Sequence, residues 1–480
     1  MATIKHGVTT GTVATSVSTP KTAASGVAVV VGTAPVHMVG GPVNRPVICT
    51  SNGEATAKLG YSDDWEKYTI CEAAYTQFAL FAVSPVVFIN VLDPARHKKT
   101  VEAAPVDIID RKAVLPLEAI KATVKATGEA SAALAENEDY TLTYADGGLV
   151  LAVVAGGKLD GKATVNVGYD AVDPSQVKEA DIIGGMDVNS KKRTGLEAIE
   201  DIFPACSTVP DIIIAPGWSH KPAVAAVMEA KTTINGVFKA RAIADIDTTT
   251  ATDYAKAVEA KNKAGTSSDK LLMCWPMCKV GDHKIHLSTI TAALMAQVDN
   301  NAENGGTPCE SPSNKACKAE ALVLADGTEL MQDVPQANIL NSAGIVTAVN
   351  FISGFVLWGN YTTAFPASTD VKDYFIPVAR MFDFVANTMT LTFWSKVDNK
   401  MNRRLIDSII DAANIWLNGM VASERMLGAR IEFKDEENPL TELLAGHIKY
   451  HIYMAPPVPA QEIEFVEEYD ATYLSAALAA

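Results

Sequence analysis

The chain has 480 residues, too many for one ordinary core, so several domains are expected. Apolar residues make up 48% and charged residues 20%, a globular composition that excludes a disordered chain. A formal net charge of −16 argues against a general nucleic-acid binder, and no apolar run approaches the ~20 residues needed to cross a bilayer.

The first residues, MATIKHGVTTGTVATSVSTP, contain no continuous apolar core of a secretory signal. Their Thr, Ser and Val, broken by Gly7 and Gly11, predict an extended arm over 1–22. GVAVVVGTA (26–34) predicts a buried strand, WEKYTICEAAYTQFALFA (65–82) a helix, and PVVFINVL (85–92) a second buried strand. Strand, helix, strand is the signature of an α/β unit, here the first part of an α/β domain at 23–99.

The texture changes near 100. Short alternating strands over 121–172 are separated by turns at Asp146-Gly147-Gly148, Gly156-Gly157 and Asp160-Gly161. They predict a small all-β domain, a sandwich or barrel at 100–178, inserted into the α/β domain. The α/β texture resumes over 179–368. Helices are predicted at 195–203, 221–234, 252–265 and 287–302, and strands at 209–217, 238–246 and 270–277. Strands without polar alternation, interleaved with helices, imply a parallel sheet covered on both faces.

A helix-rich stretch at 373–397 and an amphipathic helix, NRRLIDSIIDAANIWLNGMVA (402–422), open an α+β domain over 369–457. ARIEFKDEENP (429–439) reads as a strand and acidic turn. GHIKYHIYMAPPVPAQEIEFVEE (446–468) reads as two β segments around the prolines. The last stretch, 458–480, is an arm in which Ile463, Phe465 and Val466 sit among Glu462, Glu464, Glu467 and Glu468. A strand-capable, apolar tail past a proline break has no evident sheet of its own.

Chemical motifs are sparse. Seven scattered cysteines read as reduced thiols in cytoplasm. Cys274 and Cys278 have His283 and His286 nearby, a conceivable zinc set, but KLLMCWPM reads better as a buried strand and HKIH as surface histidines in a loop. Cys309 and Cys317 flank a Pro/Ser/Asn loop and read as free thiols, able to pair only in an oxidising setting. Ser219 in APGWSHKP follows an apolar strand, but Lys221 stands where a nucleophile elbow needs glycine. Ser219 therefore reads as the cap of a helix beginning near Pro222. No P-loop, complete G-x-G-x-x-G, H-E-x-x-H or EF-hand loop occurs, so no cofactor and no enzyme activity are predicted.

Several stretches in order resemble the tail sheath proteins of contractile phage tails and related injection systems. They are TPCESPSNKAC (307–317), NILNSAGIVTAVNFISGFVLWGNYT (338–362), PVARMFDFV (377–385) and APPVPAQEIEFVEEYD near the end. Asn360-Tyr361-Thr362 stands where that family commonly has Arg-Thr, and Arg380 matches an arginine of the following segment. The resemblance implies a subtilisin-like parallel α/β domain without a working triad, a β insert on the outer surface and a tube-facing C-terminal domain. It also implies terminal arms, here Ile4, Val8 and Val13 at one end and Ile463, Phe465 and Val466 at the other, that add strands to neighbouring subunits. Expected partners are further copies of the chain, an inner tail tube protein, and baseplate and tail terminator proteins, with no direct membrane contact. The expected location is a virion tail assembled in host cytoplasm. Arg403 and Arg404 are candidate tube contacts; solvated arginines at a helix start are the plainer alternative. A hydrolase or protease, or another self-assembling phage or surface-layer protein, are the competing readings.

Overall fold

A computed structural model describes residues 21–128, 132–145, 147–188, 191–352 and 354–478. Its largest sheet has eight strands: β1 (Ala28–Gly32), β2 (Pro46–Cys49), β3 (Val86–Asn90), β4 (Ile212–Ile214), β5 (Arg241–Asp245), β6 (Leu271–Cys274), β7 (Ile345–Asn350) and β8 (Phe355–Trp358). Their spatial order is β2-β3-β1-β4-β5-β6-β7-β8. The six inner strands are parallel, whereas β2 and β8 run antiparallel at the two edges. That corrects the expectation of a wholly parallel sheet. Buried apolar strands look alike in either direction, and the short link from Asn350 to Phe355 permits only an antiparallel return.

The inner strands AVVVG, VVFIN, III, RAIAD and LLMC are buried throughout because helices cover both faces. The main helices of this part are α1 (Asn52–Leu59), α2 (Thr69–Ala74), α3 (Ile202–Cys206), α4 (Pro222–Ala230), α5 (Tyr254–Ala264), α6 (Leu287–Asp299) and α7 (Val334–Ser342). The sequence argues one regular helix over 65–82. Instead α2 widens into a π turn over Tyr75–Leu80, where Phe81 N–H reaches back five residues to the Thr76 carbonyl. The Thr76 hydroxyl donates to the Glu72 carbonyl at 2.9 Å, a back-bond that competes with the regular ladder. The helix expected at 195–203 is a 3₁₀ stretch, Gly195–Asp201, running into α3. α5 begins where Asp253 accepts from Lys256 N–H at 2.9 Å and ends at Gly265, whose φ of 63° a side chain would resist.

Between β3 and β4 the chain builds two three-stranded antiparallel sheets. One is Lys98–Asp107, Thr164–Val172 and Lys125–Thr127; the other is Lys112–Pro116, Gly148–Val153 and Tyr140–Ala145. They enclose a core of their own around Leu115, Leu142, Leu149, Leu151 and Val167. Beyond β8 come α8 (Ile376–Phe393), α9 (Arg403–Ala422) and an antiparallel hairpin, β9 (Gly428–Glu432) with β10 (His451–Ala455). Ile406, Ile409, Ala413, Leu417 and Met420 make one stripe of α9, and Asn402 caps its start by accepting from Leu405 N–H at 2.9 Å. Its Ala413, Leu417 and Met420 pack with Met381, Phe384 and Val385 of α8 and Ile431 of β9 in a further core, which also takes in Ala23.

From Pro456 to Asp470 the chain has no secondary structure; a helix, α10 (Ala471–Leu478), follows. The second β segment expected after the prolines is therefore not formed. A strand exists only as part of a ladder, and no strand among the described residues pairs with this one.

Candidate assembly surface

The C-terminal ends of β4 and β5, where an α/β enzyme would keep its catalytic groups, hold a structural network. Ser219 is buried and does not cap α4, whose N-cap is Lys221 without a side-chain bond. The Ser219 hydroxyl donates to the Asp245 carboxylate and accepts from Asp245 N–H, both at 3.0 Å. Asp245 also accepts from the N–H and hydroxyl of Ser288, at 2.9 and 2.5 Å. Glu72 acts similarly two residues earlier: it accepts from His286 N–H at 2.9 Å and lies 2.8 Å from His286 Nδ1. Two carboxylates thus take the otherwise unpaired amides that open α6, where the helix field favours negative charge. No histidine hydrogen-bonds to Ser219 among the described residues, so the groups of a triad are present without its geometry.

His286 and His283 are not the surface pair expected from HKIH. His283 stacks on Trp65 with ring centroids 3.9 Å apart, in a strand, His283–Ile285. Burial lowers the His286 pKa, but the Glu72 carboxylate outweighs it and the imidazole is pushed up to about 9. Cys274 lies in β6 and Cys278 in a separate strand, Met277–Val280, so CWPMC spans two sheets, not the single strand expected. Cys309 and Cys317 are free thiols.

The other end of α6 joins the two halves of the molecule. Arg380 of α8 donates to both oxygens of Asp299, at 3.1 and 2.6 Å, and to Asp211 at 2.8 Å. Ser25 donates to Asp299 at 2.7 Å, while Asp211 accepts from Gly26 and Val27 N–H at 3.1 and 2.7 Å. Burial raises the Asp299 pKa despite the facing guanidinium. A second arginine, Arg241 of β5, pairs with Asp383 of α8 at 2.5 Å. The strap at residues 21–25 runs along α8, with Lys21 and Ala23 N–H bonded to the hydroxyls of Thr392 and Thr388 at 3.0 and 3.1 Å.

Sheet edges separate what is finished from what is left open. At β2, Pro46 offers no N–H and Lys58 of α1 donates to the Ile48 carbonyl at 3.0 Å. At β8, the SPSNKAC loop lies along the strand. Asn314 and Cys317 N–H donate to the Leu357 and Phe355 carbonyls at 2.6 and 2.9 Å, and Leu357 N–H donates to Lys315 at 2.9 Å. The Ser311 hydroxyl donates to the Asn360 side-chain oxygen. At β9, Asn414 of α9 accepts from Ile431 N–H at 3.0 Å and donates to the Ile431 carbonyl at 3.2 Å. At β10, no hydrogen bond from outside the hairpin reaches the backbone of Ile452 or Met454 among the described residues.

Ile463, Phe465 and Val466 are 72, 86 and 84% exposed in the extended tail. Gln461 is held by the Tyr361 hydroxyl, which donates to its side-chain oxygen at 2.6 Å. Arg403 and Arg404 are exposed at the start of α9, and Arg403 pairs with Asp407 at 2.9 Å in an i,i+4 arrangement. Ile4, Val8 and Val13 lie outside the described residues. Sequence reasoning missed Asn414, which reads as one more polar position on an amphipathic helix. It also gave no role to the SPSNKAC loop; its one signal was polar backbone-bonding residues just upstream of an edge strand.

No family model matches the chain. Among solved structures, the anti-feeding prophage helical sheath in its contracted state matches with a TM-score of 0.58 at 14% identity, over 98% of this chain and all of that one. A sheath tail protein of Desulfitobacterium hafniense matches with a TM-score of 0.52 at 12% identity, over 89% of this chain and 93% of that one. The fold is therefore that of a contractile-sheath subunit. The Tail sheath protein of Burkholderia phage BcepMu is 30% identical over 489 aligned residues, 98% of this chain and 97% of the relative. A prophage major tail sheath protein of Pseudomonas aeruginosa is 28% identical over 325 residues, 65% of this chain and 78% of the relative. The chain belongs to the tail sheath protein family.

Proposed function

We propose that copies of this chain form the helical sheath around an inner tail tube, and that contraction drives the tube through the target envelope. The copies are linked by strands that their terminal arms lend to neighbouring sheets. One observation carries this reading: the tail at 458–480 keeps Ile463, Phe465 and Val466 in water, beyond the fold that precedes it. Apolar residues in an extended segment gain by joining a neighbour's sheet edge, where backbone bonds supply affinity. A head-to-tail contact of that kind does not close, so it generates a helical polymer.

The eight-stranded domain corresponds in this reading to the subtilisin-like body of the sheath without catalysis; Ser219 and Asp245, engaged with each other and with Ser288, support that. The β insert faces outward, and the α8–α9 domain faces the tube with Arg403 and Arg404 as its basic points. Baseplate and terminator proteins complete the partner set. Contraction energy is stored in subunit packing, so no nucleotide is consumed. Removing Val458–Ala480 leaves a folded chain that no longer polymerises, and negative-stain electron microscopy reads the outcome. Normal sheaths from the truncated chain refute the arm-exchange reading.

A further inference from the structure

We infer that the β insert is latched to the eight-stranded body by a neutral imidazole, His37, and that acid opens this latch while the neck of the insert holds. His37 lies in a short 3₁₀ turn, Val36–Met38, between β1 and β2. Its Nε2 is 2.8 Å from the carbonyl of Leu117, in the insert. A carbonyl can only accept, so Nε2 carries the proton and Nδ1 is the bare lone pair of a neutral ring. Nδ1 is buried and meets no hydrogen-bond partner among the described residues. The ring stands edge-on to Tyr144 of the insert, with centroids 5.8 Å apart. The Tyr144 hydroxyl is already engaged: it donates to the Ala119 carbonyl at 2.7 Å and accepts from Lys121 N–H at 3.2 Å. A proton arriving at Nδ1 becomes a buried donor with nothing to receive it, which is costly.

Charges near the latch do not offset that cost. Glu118 of the insert is the carboxylate that acts on His37, but Lys67 of the body pairs with it at 3.1 Å. Burial outweighs both the Leu117 bond and Glu118, and holds the His37 pKa below its ordinary value. Closure is therefore favoured above about pH 6.5 and is lost as pH falls below it, because the open latch takes the proton more readily. The same face is joined by the half-exposed Lys67–Glu118 pair, which contributes little, and by Ile120 packed on the body's core. The neck is built differently. Where the chain enters the insert, the buried His97 accepts at Nδ1 from Asp93 N–H at 3.0 Å. Its carbonyl accepts from Asp173 N–H, on the returning segment, at 2.9 Å. Asp181 stands 3.6 Å from His97 Nε2, and Arg96 reaches the same carboxylate at 3.4 Å. The two connections stay joined while the latch opens, so the neck serves as the hinge.

Two measurements on the full-length chain test this. Histidine C2 hydrogen–deuterium exchange, read by mass spectrometry, gives the His37 titration midpoint without any substitution. A midpoint below about 6.5 is expected, and one at or above it overturns the latch. Amide hydrogen exchange, corrected for its intrinsic pH dependence, reads opening in peptides covering 36–41 and 117–121. Protection there is expected to fall about fivefold from about pH 7.5 to about pH 5.0, while peptides covering β1 and β4 hold theirs. His37→Gln keeps a donor for the Leu117 carbonyl and cannot titrate, so its protection is expected to stay within about twofold over that range. A flat wild-type profile overturns the proposal, and so does the same fall in His37→Gln as in wild type. Glu118→Gln is expected to keep the fall; its loss there assigns the pH dependence to the Lys67–Glu118 pair and overturns the role of His37.

Discussion

The eight-stranded body and the two-stranded hairpin treat their edges in opposite ways. The body closes both: Pro46 and Lys58 at β2, and the SPSNKAC loop at β8. The hairpin closes β9 with a single side chain, Asn414, while among the described residues nothing outside the hairpin bonds the backbone of Ile452 or Met454 in β10. An exposed edge is a standing invitation to pair, and a protein present in many copies must ration such edges. The difference teaches that ordered joining requires most edges to be finished before any copy meets another.

Breaking the joint between the two regions gives the largest effect. Arg380→Met leaves Asp299 buried without its counter-charge and is expected to cost roughly 3–5 kcal/mol in urea unfolding, because an uncompensated buried charge is the expensive half of an ion pair. Opening the body's far edge comes next. Asn314 sits at a φ of 59° and donates to Leu357, so Asn314→Pro loses both the backbone conformation and the bond. A loss on the order of 2 kcal/mol is expected. Light scattering should also register disordered aggregation through β8.

The pH dependence sharpens the comparison within the body. His286 has a folded-state pKa raised to about 9 against an ordinary 6.5. Its stabilisation is therefore complete below about pH 6.5 and is lost as pH rises through about 9. Thermal or urea unfolding should show a fall of roughly 3 kcal/mol across that window, and His286→Gln should flatten it. The smallest effect on stability belongs to the tail. Phe465→Asp should leave unfolding within about 0.5 kcal/mol of wild type, since the ring is in water, while abolishing tubes by electron microscopy. A tail substitution that destabilised the monomer would erase the contrast between finished body and unfinished arm.

Buried apolar runs made β1, β3, β4, β5 and β6 readable, because branching survives in sequence, whereas β7 was not read as a strand. α9 was readable too, its stripe recurring every three or four residues. The edge strands β2 and β8 were not read at all, and nothing in their sequence marks them as running antiparallel. The π turn after α2 was hidden too, because a Thr76 back-bond is invisible in composition. The edge devices were the least legible. Asn414 bonds Ile431 in the next element, and Ser219 exchanged its expected helix-capping role for Asp245, a strand away. Single polar residues acting at a distance leave no periodic trace. The tail was the exception, since apolar residues beyond a proline break stand out wherever they occur.

The chain leaves β10 at Ala455 without a turn, and its last segment departs from a strand whose outer side has no hydrogen-bond partner among the described residues. A pull on that segment is delivered along the strand axis, at right angles to the hydrogen bonds that join β10 to β9. The five residue pairs of that ladder are then sheared together and share the force, where a perpendicular pull would part them one after another.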